Sequence, residues 1–383
     1  LSTFTWTKLG LIVLCIAEAG SRISMTGGPY AYVEVPFGRY AGFLVGVMLW
    51  LIGATAVPAV GAVFADTMAG LVPAIGTRPG RALFLAVVFG AVTFINGRGV
   101  RQGTWLNAVL TVAKLAPLLL LVGVGIFAVQ GENLRWTQGM PSGGDLSRAS
   151  VFLIFAFAGV ESALVPSGEV RDSARPVPRA VFLAMALVAL LYIGLQVVAQ
   201  GVLGSALVGD PTPLATAAGR IFGPPGLVVL SIGFIVSAFG YLSGMTLAVP
   251  RALFALARDG IIPRQFAAVH PRFHTPWVAI VAQSALAWLL AMTNGFEGLA
   301  IIANVSAALV YLGCAAAAWK LRRMNVRQAD GVPFKVPGGA AAPALAIVAI
   351  LFLLSSVTAR EWSVLIAVIA VASLLYLLST RRR

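Results

Sequence analysis

The chain has 383 residues, of which 59% are hydrophobic and 10% charged, and its mean hydropathy is +0.94. An ordinary soluble domain carries about 25% charged residues, so these values exclude one and describe a polytopic membrane protein. The formal charge of +14 does not mark a nucleic-acid binder, because the basic residues fall in short loops between apolar runs, where they set topology and meet anionic lipid headgroups. Gly and Pro are scattered through the apolar runs and not gathered in linkers, so no separate soluble domain is visible. Cys15 and Cys314 both lie in apolar segments, which indicates neither a disulfide framework nor a metal cluster, and no cofactor is expected.

Against the criterion of about 20 apolar residues per span, eleven segments stand out. They lie near Leu9–Ile23, Tyr40–Phe64, Ala82–Ile95, Trp105–Val129, Ser150–Val165 and Val181–Leu203, and then near Gly226–Val249, Trp277–Met292, Leu299–Trp319, Ala340–Val357 and Trp362–Leu378. Lys and Arg are retained on the cytoplasmic side. The alternate loops that include Arg22, Arg98, Arg171, Arg251, Lys320 and Arg381 hold nineteen basic residues, against seven in the opposite set. That bias places the C-terminus in the cytoplasm. An odd number of spans then puts Leu1 outside, and a chain beginning there without Met or a signal peptide is expected to lack one earlier helix.

Several residues along the chain invite a role. Met25–Tyr32 reads as a turn, with Gly27, Gly28 and Pro29 stopping the first helix. Gly42-x-x-x-Gly46 and Gly240-x-x-x-Gly244 read as close helix contacts. Lys114 interrupts an apolar segment three residues before Pro117. An ammonium placed there calls for an acceptor and offers a place to exchange a proton, whereas the plainer reading is a snorkelling side chain. His270 and His274 have metal-like spacing, but Pro271 between them spoils a shared helix face, so metal binding is not expected.

The stretch Val151–Arg179 carries the most information. An apolar helix meets the small residues Ala156, Ala158 and Gly159, which weaken it and admit close backbone approach. Glu161 follows with more apolar residues beyond it, and a carboxylate near the bilayer centre costs about 2.5 to 3.5 kcal/mol even on the gentlest scale. The pattern predicts a discontinuous membrane helix with Glu161 facing a cavity or a partner. A structural Glu161, hydrogen-bonded to a neighbouring helix, is the alternative.

Four separated stretches together resemble the amino acid-polyamine-organocation permeases: AEAGSRISMTGGPYAYV from Ala17 with FGRYAGFLVG from Phe37, INGRGVR from Ile95, FAFAGVESALVPSGEVRDSARPVPRA from Phe155, and ALARDGIIP from Ala255. The resemblance covers essentially the whole chain. It implies an all-α polytopic fold, the LeuT-like 5+5 inverted repeat plus two C-terminal helices, with residues 1–130 as a first repeat without its broken helix, 150–320 as the second, and 338–380 as the appended pair. The glycine-rich motif of the family's first helix is not found before Leu9, and AEAGSR resembles the second helix.

The resemblance also implies site residues. It places the helix break and substrate contacts at Phe155, Ala156, Phe157, Ala158 and Gly159, with Phe155 as the aromatic gate and Glu161 as a gating carboxylate. Lys114 resembles a lysine carried by sodium-independent members where sodium-coupled relatives bind an ion. Met245, Leu49 and Gly53 match pocket-lining positions, and Met245 and Phe155 stand where exchangers of basic amino acids often have Trp, which favours a neutral substrate. The expected activity is secondary active transport of an amino acid across the plasma membrane, proton-coupled or by exchange with a counter-transported amino acid. The partners implied are the substrate and the lipid bilayer, with no nucleic acid. An inactive remnant, a membrane-embedded enzyme and a channel or sensor are the competing readings; the enzyme would want clustered carboxylates or a nucleophile at a membrane face.

Overall fold

The computed structural model describes residues 2–23, 28–98, 103–135, 142, 144, 149–150, 153, 155–156, 159, 176–210, 212–328, 333–336 and 338–380. The described chain is all-α. The helices are α1 (Ser2–Arg22), α2 (Pro29–Phe37), α3 (Arg39–Leu71), α4 (Arg78–Gly97), α5 (Gly103–Gly125), α6 (Pro176–Leu203) and α7 (Pro213–Phe222). They continue with α8 (Pro224–Ala248), α9 (Pro250–Arg258), α10 (Trp277–Thr293), α11 (Phe296–Arg323), α12 (Ala341–Leu354) and α13 (Ala359–Thr380). Among the described residues six helices are long and apolar enough to cross a membrane: Arg39–Leu71, Arg78–Gly97, Phe182–Leu207, Pro224–Arg258, Phe296–Arg323 and Ala359–Ser379. The polytopic, all-helical expectation is met.

Local chemistry explains where the helices begin and end. Thr77 caps α4, its hydroxyl accepting from the Gly80 N–H at 3.2 Å. Pro29 starts α2 at its first turn, where a missing N–H costs nothing, after Gly28 turns the chain at φ 55°. Of the expected Met25–Tyr32 turn, Met25, Thr26 and Gly27 lie outside the described residues, Gly28 is in a turn, and Pro29–Phe37 is a helix that the run MTGGPYAY does not announce. Val249 keeps near-helical angles, so α8 passes almost directly into α9, and Gly260 at φ +73° supplies the stop.

Lipid is as apolar as a leucine side chain, so helices in a membrane associate through close packing and polar contacts. The centre of the molecule is the pair α3 and α11, with 72% of the most apolar stretch of each buried. Around it α2 lies on α3, α1 packs on α11, α12 and α6, α10 on α3 and α4, and α8 on α3, α4, α5 and α7. Gly42 and Gly46 make room for α2: a Cβ at Gly42 would stand 2.7 Å from the Glu34 Cβ, and one at Gly46 3.3 Å from the Tyr30 ring. The matching expectation for Gly244 is corrected, since Gly244 is exposed and a Cβ there would meet nothing within 4 Å. Between α5 and α6, Gly125 receives Val198 while Gly194 receives Val122, so the two backbones approach through alternating glycine and valine.

Candidate functional site

Of the fifth apolar segment, the described residues include Leu153, Phe155, Ala156 and Gly159. Gly159 has φ +118°, a conformation that L side chains rarely adopt and that glycine supplies without strain. Three residues earlier the Ala156 carbonyl accepts a hydrogen bond from the Tyr192 hydroxyl of α6 at 3.0 Å. A carbonyl released at a helix end needs such a partner inside a membrane. The Phe155 ring meets the Phe296 ring edge-on, with centroids 5.4 Å apart and planes at 88°. Phe155 is thereby held against the first residue of α11. Phe157, Ala158 and Glu161 lie outside the described residues.

The other predicted site residues are set by α3 and α8. Met245 is half-buried near the end of α8, and its carbonyl accepts from the Val249 N–H at 2.9 Å. Gly53 is packed against that same turn, since a Cβ on it would stand 2.3 Å from Val249 Cγ2. Leu49, one turn earlier on α3, is half-buried against the central core. A polar layer braces this region. The Trp50 indole N–H donates to Gln283 Oε1 at 3.1 Å, the Thr93 and Ser284 hydroxyls are 2.6 Å apart, and the Asn96 amide donates to the Ser243 carbonyl at 3.0 Å. These bonds tie α3, α4, α8 and α10 into one unit.

Lys114 lies on α5, one turn from Pro117, with its side chain exposed and without an ion pair or hydrogen bond among the described residues. The acceptor expected for it is not among them. The His270 and His274 spacing has a plain explanation: His270 Nδ1 accepts from the Arg272 N–H at 3.2 Å and closes a tight turn.

A charged cluster that sequence reasoning passed over lies where the loop-side ends of α1 and α11 meet. Glu18 is fully buried and Arg22 is 2% exposed. Glu18 Oε1 accepts from Arg22 at 3.0 Å and from Arg322 Nε at 2.8 Å, and Oε2 accepts from a second Arg322 nitrogen and from the Val336 N–H at 3.0 Å. The readable signal was a carboxylate inside an apolar segment, four residues before an arginine. Arg22 and Arg322 were instead counted as loop charges.

On α2, Tyr30 stands beside Glu34 and near Asp259, which follows α9. Burial first, then the hydrogen bond to Glu34 and the nearby negative charges, push the Tyr30 hydroxyl up to about 12.

Comparison with known proteins completes the picture. The serine/threonine exchanger SteT of Bacillus subtilis (strain 168) is 30% identical over 371 residues, covering 93% of this chain and 82% of that protein. The methylthioribose transporter of the same organism is 30% identical over 401 residues, covering 97% and 83%. Its branched-chain amino acid permease BcaP is 26% identical over 371 residues, covering 89% and 76%. The sequence pattern described as amino acid permease matches residues 1–376, and the chain belongs to that family, within the amino acid-polyamine-organocation superfamily.

Proposed function

We propose that this protein is a secondary active transporter that carries a neutral amino acid across the plasma membrane by alternating access, without sodium, coupled to a proton or to a counter-transported amino acid. The observation that carries the reading is the positive φ of Gly159, with the Ala156 carbonyl bonded to the Tyr192 hydroxyl and Phe155 set against Phe296 beside it. A zwitterion must have both charges satisfied without bulk water, and the exposed N–H and C=O groups of half-helices do this. In this proposal residues 1–130 and 150–320 are the two repeats, 338–380 the appended helices, and the C-terminus is cytoplasmic. Phe155 covers the substrate from one side, Met245, Leu49 and Gly53 border it from the other, Glu161 links gating to protonation, and Lys114 joins the moving helices to the braced unit by charge.

The relatives support this assignment, since two carry amino acids by name and all three are transporters or permeases. The methylthioribose transporter keeps a second cargo class in view. The full-length protein, reconstituted in liposomes and offered labelled L-serine, L-threonine, L-leucine and methylthioribose, tests it. Saturable uptake of an amino acid that is indifferent to sodium and responds to a pH gradient or to internal amino acid is the expected result. Uptake of methylthioribose alone overturns the substrate, and strict sodium dependence overturns the coupling. Lys114→Ala and Glu161→Gln are expected to alter rate or pH dependence, and unchanged profiles reject their roles.

A further inference from the structure

We propose that Glu18, Arg22 and Arg322 form the gate on the side of the basic loops, a charge-locked seam between α1 and α11 that parts when the transporter opens to that side. The proposal deepens the transport reading and rests on it.

The geometry is that of a complete but costly closure. Both Glu18 oxygens are filled, by three arginine N–H groups and one backbone N–H. One carboxylate is set against two guanidinium groups, so the cluster keeps a net positive charge. Well-packed apolar side chains would hold two helices together at least as well as buried ions do, so packing alone gives no reason for this set. A charged seam differs from an apolar one in what happens on opening. When water enters, the ions recover the hydration they gave up, and the open state lies closer in free energy to the closed one.

The surrounding chain fits a seam that separates as a unit. The segment after α11 runs back over the end of α1: the Gln328 N–H donates to the Arg22 carbonyl at 2.9 Å, and the Ser21 hydroxyl reaches the Phe334 carbonyl at 3.4 Å. Deeper in the pair, the small residues Cys15 and Ala19 of α1 and Cys314 and Ala318 of α11 are fully buried in one core together with the larger Ile12, Ile16 and Tyr311. The helix that holds Arg322 at this end holds Phe296 at the other, against Phe155. Over the intervening 26 residues α11 is a rod of about 39 Å. A single rigid element therefore bears on the substrate cover and on the charged seam, as alternating access requires of its two gates.

Cys15 lies one turn deeper than Glu18 on the same helix face and is sealed behind the cluster. The test uses the full-length protein with Cys15 as its single thiol, in vesicles of both orientations, and reads the rate at which a membrane-impermeant maleimide labels Cys15. Glu18→Gln and Arg322→Met are expected to raise the rate about tenfold from the basic-loop side and leave it unchanged from the other. An unchanged rate in either folded variant overturns the proposal, as does an equal rise from both sides, which is general loosening. If neither variant is recovered folded, Arg322→Lys decides: it keeps the charge and loses the paired geometry, and one-sided acceleration supports the gate while an unchanged rate removes it. Labelling needs no cargo. One-sided opening without uptake of any amino acid would therefore discard the substrate assignment and leave the gate standing.

Discussion

Replacing Gly53 by alanine tests whether the α3 to α8 joint is as tight as its geometry states. The new Cβ would stand 2.3 Å from Val249 Cγ2, 3.1 Å from Cγ1 and 3.3 Å from Cβ. Carbon atoms rest about 3.5 to 4.0 Å apart, so the shortest contact has to open by roughly 1.2 Å or more. Val249 cannot simply turn aside, because it is 7% exposed, β-branched, and bonded through its N–H to the Met245 carbonyl. Overpacking of this kind costs about 1 to 3 kcal/mol. Alanine returns about 0.5 to 1 kcal/mol through its better helix propensity, which leaves a net loss of about 1 kcal/mol at the middle of those ranges. A melting midpoint lower by a few degrees and slower uptake are expected, because the displaced turn carries Met245. Melting of the purified protein in detergent, run beside initial uptake rates, provides the assay. Val249→Ala removes both Cγ atoms, so in a double-mutant cycle it should recover about 1 kcal/mol of the loss in Gly53→Ala. If Gly53→Ala melts and transports like the parent, or Val249→Ala brings no recovery, the tight joint is refuted.

Gly159→Ala puts a side chain at φ +118° and should cost about 1 to 3 kcal/mol, with initial uptake reduced; parental uptake would show that the position tolerates any residue. Phe155→Leu and Phe296→Leu should show a coupling of about 0.5 to 1.5 kcal/mol in a thermal double-mutant cycle, and additive effects would dissolve the ring pair. Trp50→Phe leaves Gln283, 2% exposed, without its donor and should destabilise by about 1 to 3 kcal/mol, read as the melting shift. Tyr30 binds its proton more tightly when folded, so its contribution is complete below pH 10.0 and fades as pH rises through about 12. Tyr30→Phe should flatten the loss of stability across that window in melts taken against pH.

The apolar segments were legible because a membrane demands long uninterrupted runs, and the described helices match them with ends displaced by a few residues in either direction, as Arg39–Leu71 runs past Phe64 and Ala341–Leu354 stops short of Val357. What escaped were elements too short to span. Pro29–Phe37 and Pro213–Phe222 are helices of 9 and 10 residues that lie against longer ones, and a criterion built on spanning length has no means to find them. The positive φ of Gly159 was readable in outline, because a run of small residues marks a place where the backbone leaves ordinary helical geometry. The exposure of Lys114 was not, since a sequence names an ammonium without naming the side of the helix that meets a neighbour. Glu18 was missed for a related reason. Assigning each charge to a loop treats helices one at a time, whereas this carboxylate is neutralised by an arginine 304 residues away.

Hydropathy also fails to tell the centre of a membrane protein from its rim. α3 and α11 are apolar with 72% of their most apolar stretch buried in protein, while Phe182–Leu207 and Ala359–Ser379 are as apolar with only 17% and 11% buried. Lipid and protein interior reward the same side chains, so apolar content cannot separate the two cases. The difference lies in the exceptions. α3 carries Gly42, Gly46, Gly53 and the buried Thr55, and α11 carries the buried Asn304, Ser306, Tyr311 and Cys314. Small residues let a neighbouring backbone come close, and polar ones are tolerated only where partners reach them. A helix with many such residues along its length is committed to protein contact over most of its surface. It therefore moves as a rod and does not bend into lipid. For α11 that rigidity has a direct consequence: a shift large enough to release Arg322 from Glu18 at one end must also be felt where Phe296 meets Phe155 at the other.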